Sequence, residues 1–392
     1  MSDFDLVVYG ATGFTGKLVA KYMAERGGPE RIALAGRNPD KLAEVAADLG
    51  VSWPMITASS DDPRSLHALA ESTKAVVTTV GPYMKYGLPL VEACAQAGTH
   101  YADLAGEVLF MRESIDGFDA MAKQTGARIV HASGFDSIPS DLGVYLLHEA
   151  AGGELGKTVM AVRWASGGLS GGTIASGIGQ MEVARKDPRL GKIMADPYAL
   201  TPGQSGPDVG DQMWVRYEPS LDSWTGPFIM AMINTRVVRR SNYLSDFAYG
   251  QHFEYKEVVA TGPGWGGRAR ATALAAGSTG GMMALGFSPT RMIASRFLPE
   301  PGEGPSEESR EKGGFRVEFR SLLPDGRIYG AEVIGKGDPG YAATSRMLGE
   351  SGLCLATTDG EGGVLTPATA MGDALVERLR AAGMTLRAWQ VR

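Results

Sequence analysis

The stretch GATGFTG, Gly10 to Gly16, sets three glycines at three-residue spacing directly behind the apolar run Phe4–Tyr9. Each glycine has a mechanical use. The first lets a strand end in a tight turn, the second lets backbone N–H groups approach a pyrophosphate, and the third lets a new helix pack close to the sheet. The helix N-terminus that follows favours an anion. Thr12 stands where the common G-x-G-x-x-G fingerprint has its middle glycine, so the glycines alone are weak evidence. A strand before them and a helix after, in the first βα unit, make the turn a dinucleotide site formed by Gly10, Thr12, Gly13, Phe14, Thr15 and Gly16.

The end of the next strand reads Ala35-Gly36-Arg37. An NAD site normally places an acid there for the ribose 2′-hydroxyl. Arg37 instead offers a planar cation for a 2′-phosphate, with Lys41 one turn into the helix to assist, so the expected cofactor is NADP. Asp61 is expected at the adenine, or else as N-cap of the helix that Pro63 begins. Further on, TTVGPYMKYG ends a strand at the crevice, which places Thr79, Val80, Gly81 and Pro82 along the nicotinamide half. Tyr83 and Tyr86 follow within reach of a substrate, and the later strand ends bring Asp103, Glu107, Asp136 and Asp141 to the same rim. Tyr83, Tyr86 and Asp136 are the catalytic candidates. Asp136 and Asp141 equally suit helix capping.

The elements that must position these groups alternate strand and helix over the first 135 residues. That is the signature of a doubly wound parallel Rossmann sheet, and its short apolar strands lack alternation because both faces are covered. Asn38, Pro39 and Gly50 mark one helix from N-cap to end. Beyond about Gly152 the pattern changes to longer strands, including KTVMAVRWASG, NYLSDFAYGQHFEYKEVVATG, and a pair joined by Pro324-Asp325-Gly326. An α+β substrate domain with a mainly antiparallel sheet is expected there. The expected division is an NADP-binding Rossmann domain over 1–135, a substrate and dimerisation domain over 136–357, and a helical return over 358–392 packing on the first domain. ASGGLSGGT and TGPGWGGRA read as glycine-rich loops, and PEPGEGPSEESREKGG as a solvated surface loop.

Composition narrows the class. The chain has 392 residues and a formal charge of -6, from 38 basic and 44 acidic side chains, which argues against a nucleic-acid partner. Two cysteines build no disulfide framework and point to a cytoplasmic home. Cys94 reads as a buried inert thiol and His131 as a satisfied core residue. The five histidines show no metal spacing, and no G-x-S-x-G elbow is present. Ala271–Leu298 has no acid but carries Arg291, Arg296 and several glycines, so it is too broken to span a bilayer. A buried helix pair or dimer surface is its main reading, with an interfacial, lipid-touching segment as the alternative.

Together GATGFTG, AGR, VGPYMKYG, HYADLAGE, GFDSIPSDLG and PGEGPSEESREKGGF resemble the saccharopine dehydrogenase-like oxidoreductases, especially the trans-acting enoyl reductase branch. The likeness runs over nearly the whole chain. It implies an NADP-type Rossmann domain whose glycines and Arg37 bind cofactor, with a substrate domain inserted before a C-terminal return. It does not imply saccharopine as substrate, because function resides in the site. The leading expectation is NADPH-dependent reduction of an activated C=C bond in a lipidic or acyl-carrier-bound substrate. An imine or amino-acid dehydrogenase would need cations to clamp carboxylates. Arg163, Arg185, Arg216, Arg236, Arg239 and Arg240 are available, though VRW and TRVVRR read mostly as strands with exposed arginines. A non-catalytic, lipid-associated NADP-binding protein is the third reading.

Overall fold

The computed structural model describes residues 2–167, 171–286 and 304–391. The opening strand–helix alternation folds as β1 (Phe4–Tyr9), α1 (Phe14–Arg26), β2 (Ile32–Gly36), α2 (Pro39–Leu49), β3 (Met55–Thr57), α3 (Pro63–Glu71) and β4 (Thr73–Thr78). It continues through α4 (Tyr83–Tyr86), α5 (Leu88–Ala97), β5 (His100–Asp103), α6 (Val108–Thr125), β6 (Arg128–Val130) and α7 (Ile138–Ala151). Local chemistry sets the helix ends. At α2 the Asn38 side chain accepts the Lys41 N–H at 3.0 Å, Pro39 occupies the first turn, and Gly50 closes the helix at φ +64°.

The second half supplies β7 (Lys157–Ala165), α8 (Gly171–Lys186), α9 (Pro188–Ala195), β8 (Arg216–Glu218), β9 (Ser223–Pro227), α10 (Ala231–Leu244), β10 (Glu254–Gly262) and α11 (Gly264–Gly286). Then come α12 (Glu307–Lys312), β11 (Gly314–Leu322), β12 (Ile328–Lys336), α13 (Ala342–Thr357), β13 (Gly363–Leu365), α14 (Pro367–Ala381) and β14 (Thr385–Gln390).

Two seven-stranded sheets result. The first runs β13-β6-β5-β4-β1-β2-β3 with every neighbouring pair parallel. All five residues of β2 and the last four of β1 are buried, which is why those strands read as unbroken apolar runs. The second sheet runs β14-β12-β11-β7-β10-β9-β8 and is antiparallel except between β7 and β10. The expected Rossmann sheet with a mainly antiparallel partner is therefore the fold. α13 closes the first sheet from late in the chain, packing so tightly that a Cβ on Gly352 would stand 2.4 Å from Val77 Cγ1.

Tertiary context overrides several local readings. TRVVRR lies in α10, not in a strand, and Arg236, Arg239 and Arg240 are buried. In NYLSDFAYGQHFEYKEVVATG only Glu254–Gly262 is strand; its first residues end α10. Helix α8 begins inside the glycine-rich ASGGLSGGT and α11 inside TGPGWGGRA. The acidic loop PEPGEGPSEESREKGG contains α12, capped by the Ser306 side chain, and Arg310 from it lies 5.3 Å from the Phe14 ring centre. The closing segment is not purely helical. It enters the parallel sheet as β13, continues as α14 against α7 and α13, and finishes as β14 on the second sheet. Of Ala271–Leu298, the part beyond 286 lies outside the described residues.

Candidate active site

The glycine turn closes as its residue types require. Gly10 adopts φ +86°, where a Cβ would meet Val80 Cγ2 at 2.8 Å and Thr79 Oγ1 at 2.9 Å. A Cβ on Gly16 would lie 2.0 Å from the Gly10 carbonyl oxygen, so only glycine lets α1 start this close to β1. Gly13 is the N-cap of α1; no side chain caps the helix and no acid stands in its first turn. Among the described residues nothing else engages the first N–H groups, which are open to an anion.

At the neighbouring strand end Arg37 and Lys41 are exposed. The Tyr9 phenol is pushed up to about 12 by burial, with Arg37 opposing that rise and Asp61 adding to it, so both charges lie near one hydroxyl. Asp61 does not cap α3. Asp62 does, accepting the Arg64 N–H at 3.1 Å. Phe14 turns its ring onto Tyr341, with centroids 5.0 Å apart, leaving its backbone for the turn. Thr12 and Thr15 are half-buried beside it. An open helix N-terminus, a glycine cradle that a Cβ would fill and two cations at the second strand end, without an ion-pair partner among the described residues, fit NADP.

The other end of the crevice is an arch, Thr79–Pro82. The Thr79 N–H donates to the Tyr9 carbonyl at 3.1 Å and the Val80 N–H to Thr78 Oγ1 at 3.2 Å. Beyond the arch, Glu107 accepts the N–H groups of Tyr83 at 2.9 Å and Met84 at 2.7 Å. Tyr83 is buried. Its hydroxyl donates to the Thr78 carbonyl and accepts from the Leu104 N–H, both at 3.1 Å, and burial drives its ionisation well above the ordinary value. Tyr86 is half-buried with Lys85 Nζ 4.8 Å from its ring centre.

The rim acids differ in what they touch. Asp103 accepts N–H groups from Ala105 and Ala132 and the Tyr101 hydroxyl, and it contacts His131 Nδ1 at 2.7 Å. His131 Nε2 meets Ser114 Oγ at 2.8 Å, so this histidine is a satisfied core residue, and Cys94 is likewise buried and free. Asp141 accepts from Ser241 and the Ala368 N–H, tying α7 to α10 and α14; burial pushes it up to about 6. Asp136 is half-buried and receives no hydrogen bond from a described residue. Burial first, and then the charge of Asp103, push its carboxyl up to about 7. Asp136 Oδ2 and Ile233 Cδ1 lie 3.7 and 3.2 Å from where a Gly106 Cβ would stand. A carboxyl that shares its proton near neutrality, at the joint ends of β5 and β6, is suited to general acid chemistry.

Four of the second-half arginines, Arg163, Arg236, Arg239 and Arg240, are committed elsewhere. Arg236 pairs with Asp211, Arg239 pairs with Asp208 at 2.8 Å and donates to the Pro197 and Tyr255 carbonyls, and Arg240 donates to the Leu200 and Val364 carbonyls. They staple the segment between α9 and β8 onto α10. Arg163 pairs with Glu318 at 2.7 Å, and Arg216 is exposed on the edge strand. Among the described residues no cluster of His, Cys, Asp and Glu is arranged to hold a metal.

Residues 6–130 match the saccharopine dehydrogenase NADP-binding domain. A Mycobacterium tuberculosis relative bearing the trans-acting enoyl reductase name is 48% identical over 98% of this chain and 97% of its own. The trans-acting enoyl reductase of Mycobacterium ulcerans is 43% identical, with 98% of each chain covered. The chain belongs to the trans-acting enoyl reductase family. It is an NADP-dependent oxidoreductase. The fold is shared with saccharopine dehydrogenase (L-Glu forming) from Saccharomyces cerevisiae, at a TM-score of 0.56 and 12% identity over 99% of both chains.

Two residues that reach Glu107 and Gly106 were missed by sequence reasoning. From α8, Ser176 donates to Glu107 at 2.6 Å and Gln180 donates to the Gly106 carbonyl at 3.2 Å. SGGTIASGIGQ carries no chemical motif, and its glycines suggest a loop. Their four-residue spacing on one helix face was the available signal.

Proposed function

We propose that the enzyme reduces an activated C=C bond in a lipidic or acyl-carrier-bound substrate, working as a Rossmann domain over 1–135, a substrate domain over 136–357 and a return over 358–392. Support comes from the activity in the relatives' names and from the arginines of α10, which are committed to Asp208, Asp211 and backbone carbonyls and so are not available to clamp a substrate carboxylate. The observation that carries the reading is Asp136. It is an acid raised to about 7, without a hydrogen-bond partner among the described residues, facing Gly106 as the Ile233 methyl also does.

Gly10, Gly13 and Gly16 open the start of α1 to the pyrophosphate, Arg37 and Lys41 hold the 2′-phosphate, Asp61 lies at the adenine, and the Thr79–Pro82 arch borders the nicotinamide. Bound NADPH supplies the hydride for the β-carbon. Asp136 holds the proton for the α-carbon, and Tyr86 is the other donor within the crevice. Tyr83 serves as a strut, because both roles of its hydroxyl are spent on the backbone. A cytoplasmic enzyme that meets lipid at its surface fits Trp265, 80% exposed at the start of α11, with Arg268 5.4 Å from its ring centre. No helix among the described residues is long and apolar enough to cross a membrane. A homodimer is the further expectation for the substrate domain.

The test is NADPH oxidation with trans-2-enoyl thioesters of increasing chain length, against 2-oxo acids paired with amines. Turnover that grows with acyl length is expected. Asp136→Asn should lower it about 100-fold or more, and the wild-type rate should fall as pH rises through about 7. Turnover of only the oxo acid and amine pairs would overturn the reading.

A further inference from the structure

Glu107 sits between the two halves of the molecule. It is buried, at the N-cap of α6, and no side chain caps that helix in its place. Three donors converge on its carboxylate. Two are the Tyr83 and Met84 N–H groups, which fix the far foot of the Thr79–Pro82 arch; the third is the Ser176 hydroxyl from α8. The near foot is fixed independently, through Thr79 to Tyr9 and Val80 to Thr78. One turn beyond Ser176, Gln180 donates to the carbonyl of Gly106, the residue flanked by Asp136 and Ile233. One face of α8 is thus sewn to the corner where the acid stands. Gln180 Oε1 is buried there without a partner among the described residues, so they complete the seam on only one side of that amide.

We propose that Glu107 is a positioning residue that couples the docking of α8 to the shape of the nicotinamide arch. A buried carboxylate demands its donors. When α8 is docked, Ser176 completes the set and the carboxylate holds both arch amides in place; when α8 lifts, Glu107 loses a donor and the far foot loosens. Nicotinamide binding and α8 docking then favour each other, as linkage between two sites requires. Glu107 touches neither substrate nor cofactor; it acts through the backbone of Tyr83 and Met84. The inference rests on the reading of Thr79–Pro82 as the nicotinamide end.

Fluorescence titration with NADPH and with adenosine 2′,5′-bisphosphate, which lacks the nicotinamide half, tests it. Glu107→Gln places an amide where an acceptor is needed and should weaken NADPH binding about 10-fold or more, the size of a lost charge-assisted bond. The bisphosphate should bind both proteins alike. Ser176→Ala keeps both arch bonds and should weaken NADPH about 3-fold. In hydrogen exchange, NADPH should slow the α8 amides of wild type and leave those of Glu107→Gln fast. Equal weakening of both ligands would mark a merely structural glutamate, and unchanged NADPH affinity in both variants would remove the coupling. Gly81→Leu serves as the control on the arch. If it leaves NADPH affinity intact, the nicotinamide reading fails; if it weakens NADPH while Glu107→Gln does not, the proposal about Glu107 alone fails.

Discussion

At the end of the crevice that holds the glycine turn, every group of interest lies within the first 61 residues, on successive βα turns. At the other end the groups come from 79–86, 103–107, 136, 176–180 and 233, and two of those segments follow β7. The first end is stiff and built from backbone: a Cβ on Gly10 or Gly16 would stand only 2.0–2.9 Å from its nearest neighbours, so neither position accepts another residue. The second is built from side chains, and its acids are distinguished only by their neighbours. Asp103 has four partners and Asp141 ties three helices, while Asp136 has none among the described residues. Binding a phosphate needs local geometry, whereas moving a proton needs a controlled environment, and environments are made by distant segments.

Experiments can press on that contrast. The largest effect should come from Gly16→Val, whose Cβ collides with the Gly10 carbonyl. NADPH affinity should fall more than about 100-fold in a titration, since backbone cannot yield as a flexible side chain does. A near-normal affinity would show that the turn is softer than its contacts imply. Next, Arg37→Ala should weaken NADPH about 10- to 100-fold and NADH hardly at all, the loss of one charge-assisted phosphate contact. Equal losses would take the 2′-phosphate away from Arg37.

The smallest effect concerns stability at the acid end. Asp136 titrates near 7 in the fold, above its ordinary range, so the folded protein binds a proton that the unfolded chain has released. Stability from this group is therefore full below about pH 4 and is lost as pH rises to about 7. Asp136→Asn, neutral throughout, should raise stability by about 1–3 kcal/mol at pH 8 and by nothing at pH 4, measured by denaturant melts at both pH values. No gain at pH 8 would mean that water already solvates the carboxylate.

How much of this could be read from the sequence varied with the range of the cause. Asn38, Pro39 and Gly50 specify the ends of α2 through contacts within four residues, and those appear as expected. TRVVRR misleads because three arginines look exposed; their burial depends on Asp208 and Asp211, and on carbonyls at 194–200, acceptors that no local window contains. Asp61 and Asp62 are adjacent acids before Pro63, and which one caps α3 is settled by backbone geometry at Asp62. Glu107 stood on the predicted rim, yet its partner Ser176 lies 69 residues away in a stretch that resembles a loop.

The sequence by itself determined a strand–turn–helix that only glycine can close, a cation in place of an acid at the next strand end, and hence an NADP-binding Rossmann sheet. Those follow from sterics and charge along a few consecutive residues. Only the tertiary structure decided which rim carboxyl has no partner among the described residues, which tyrosine becomes a strut, and which arginines become staples. Burial and hydrogen bonding are properties of what the whole chain brings to a point, and a residue's type does not record them.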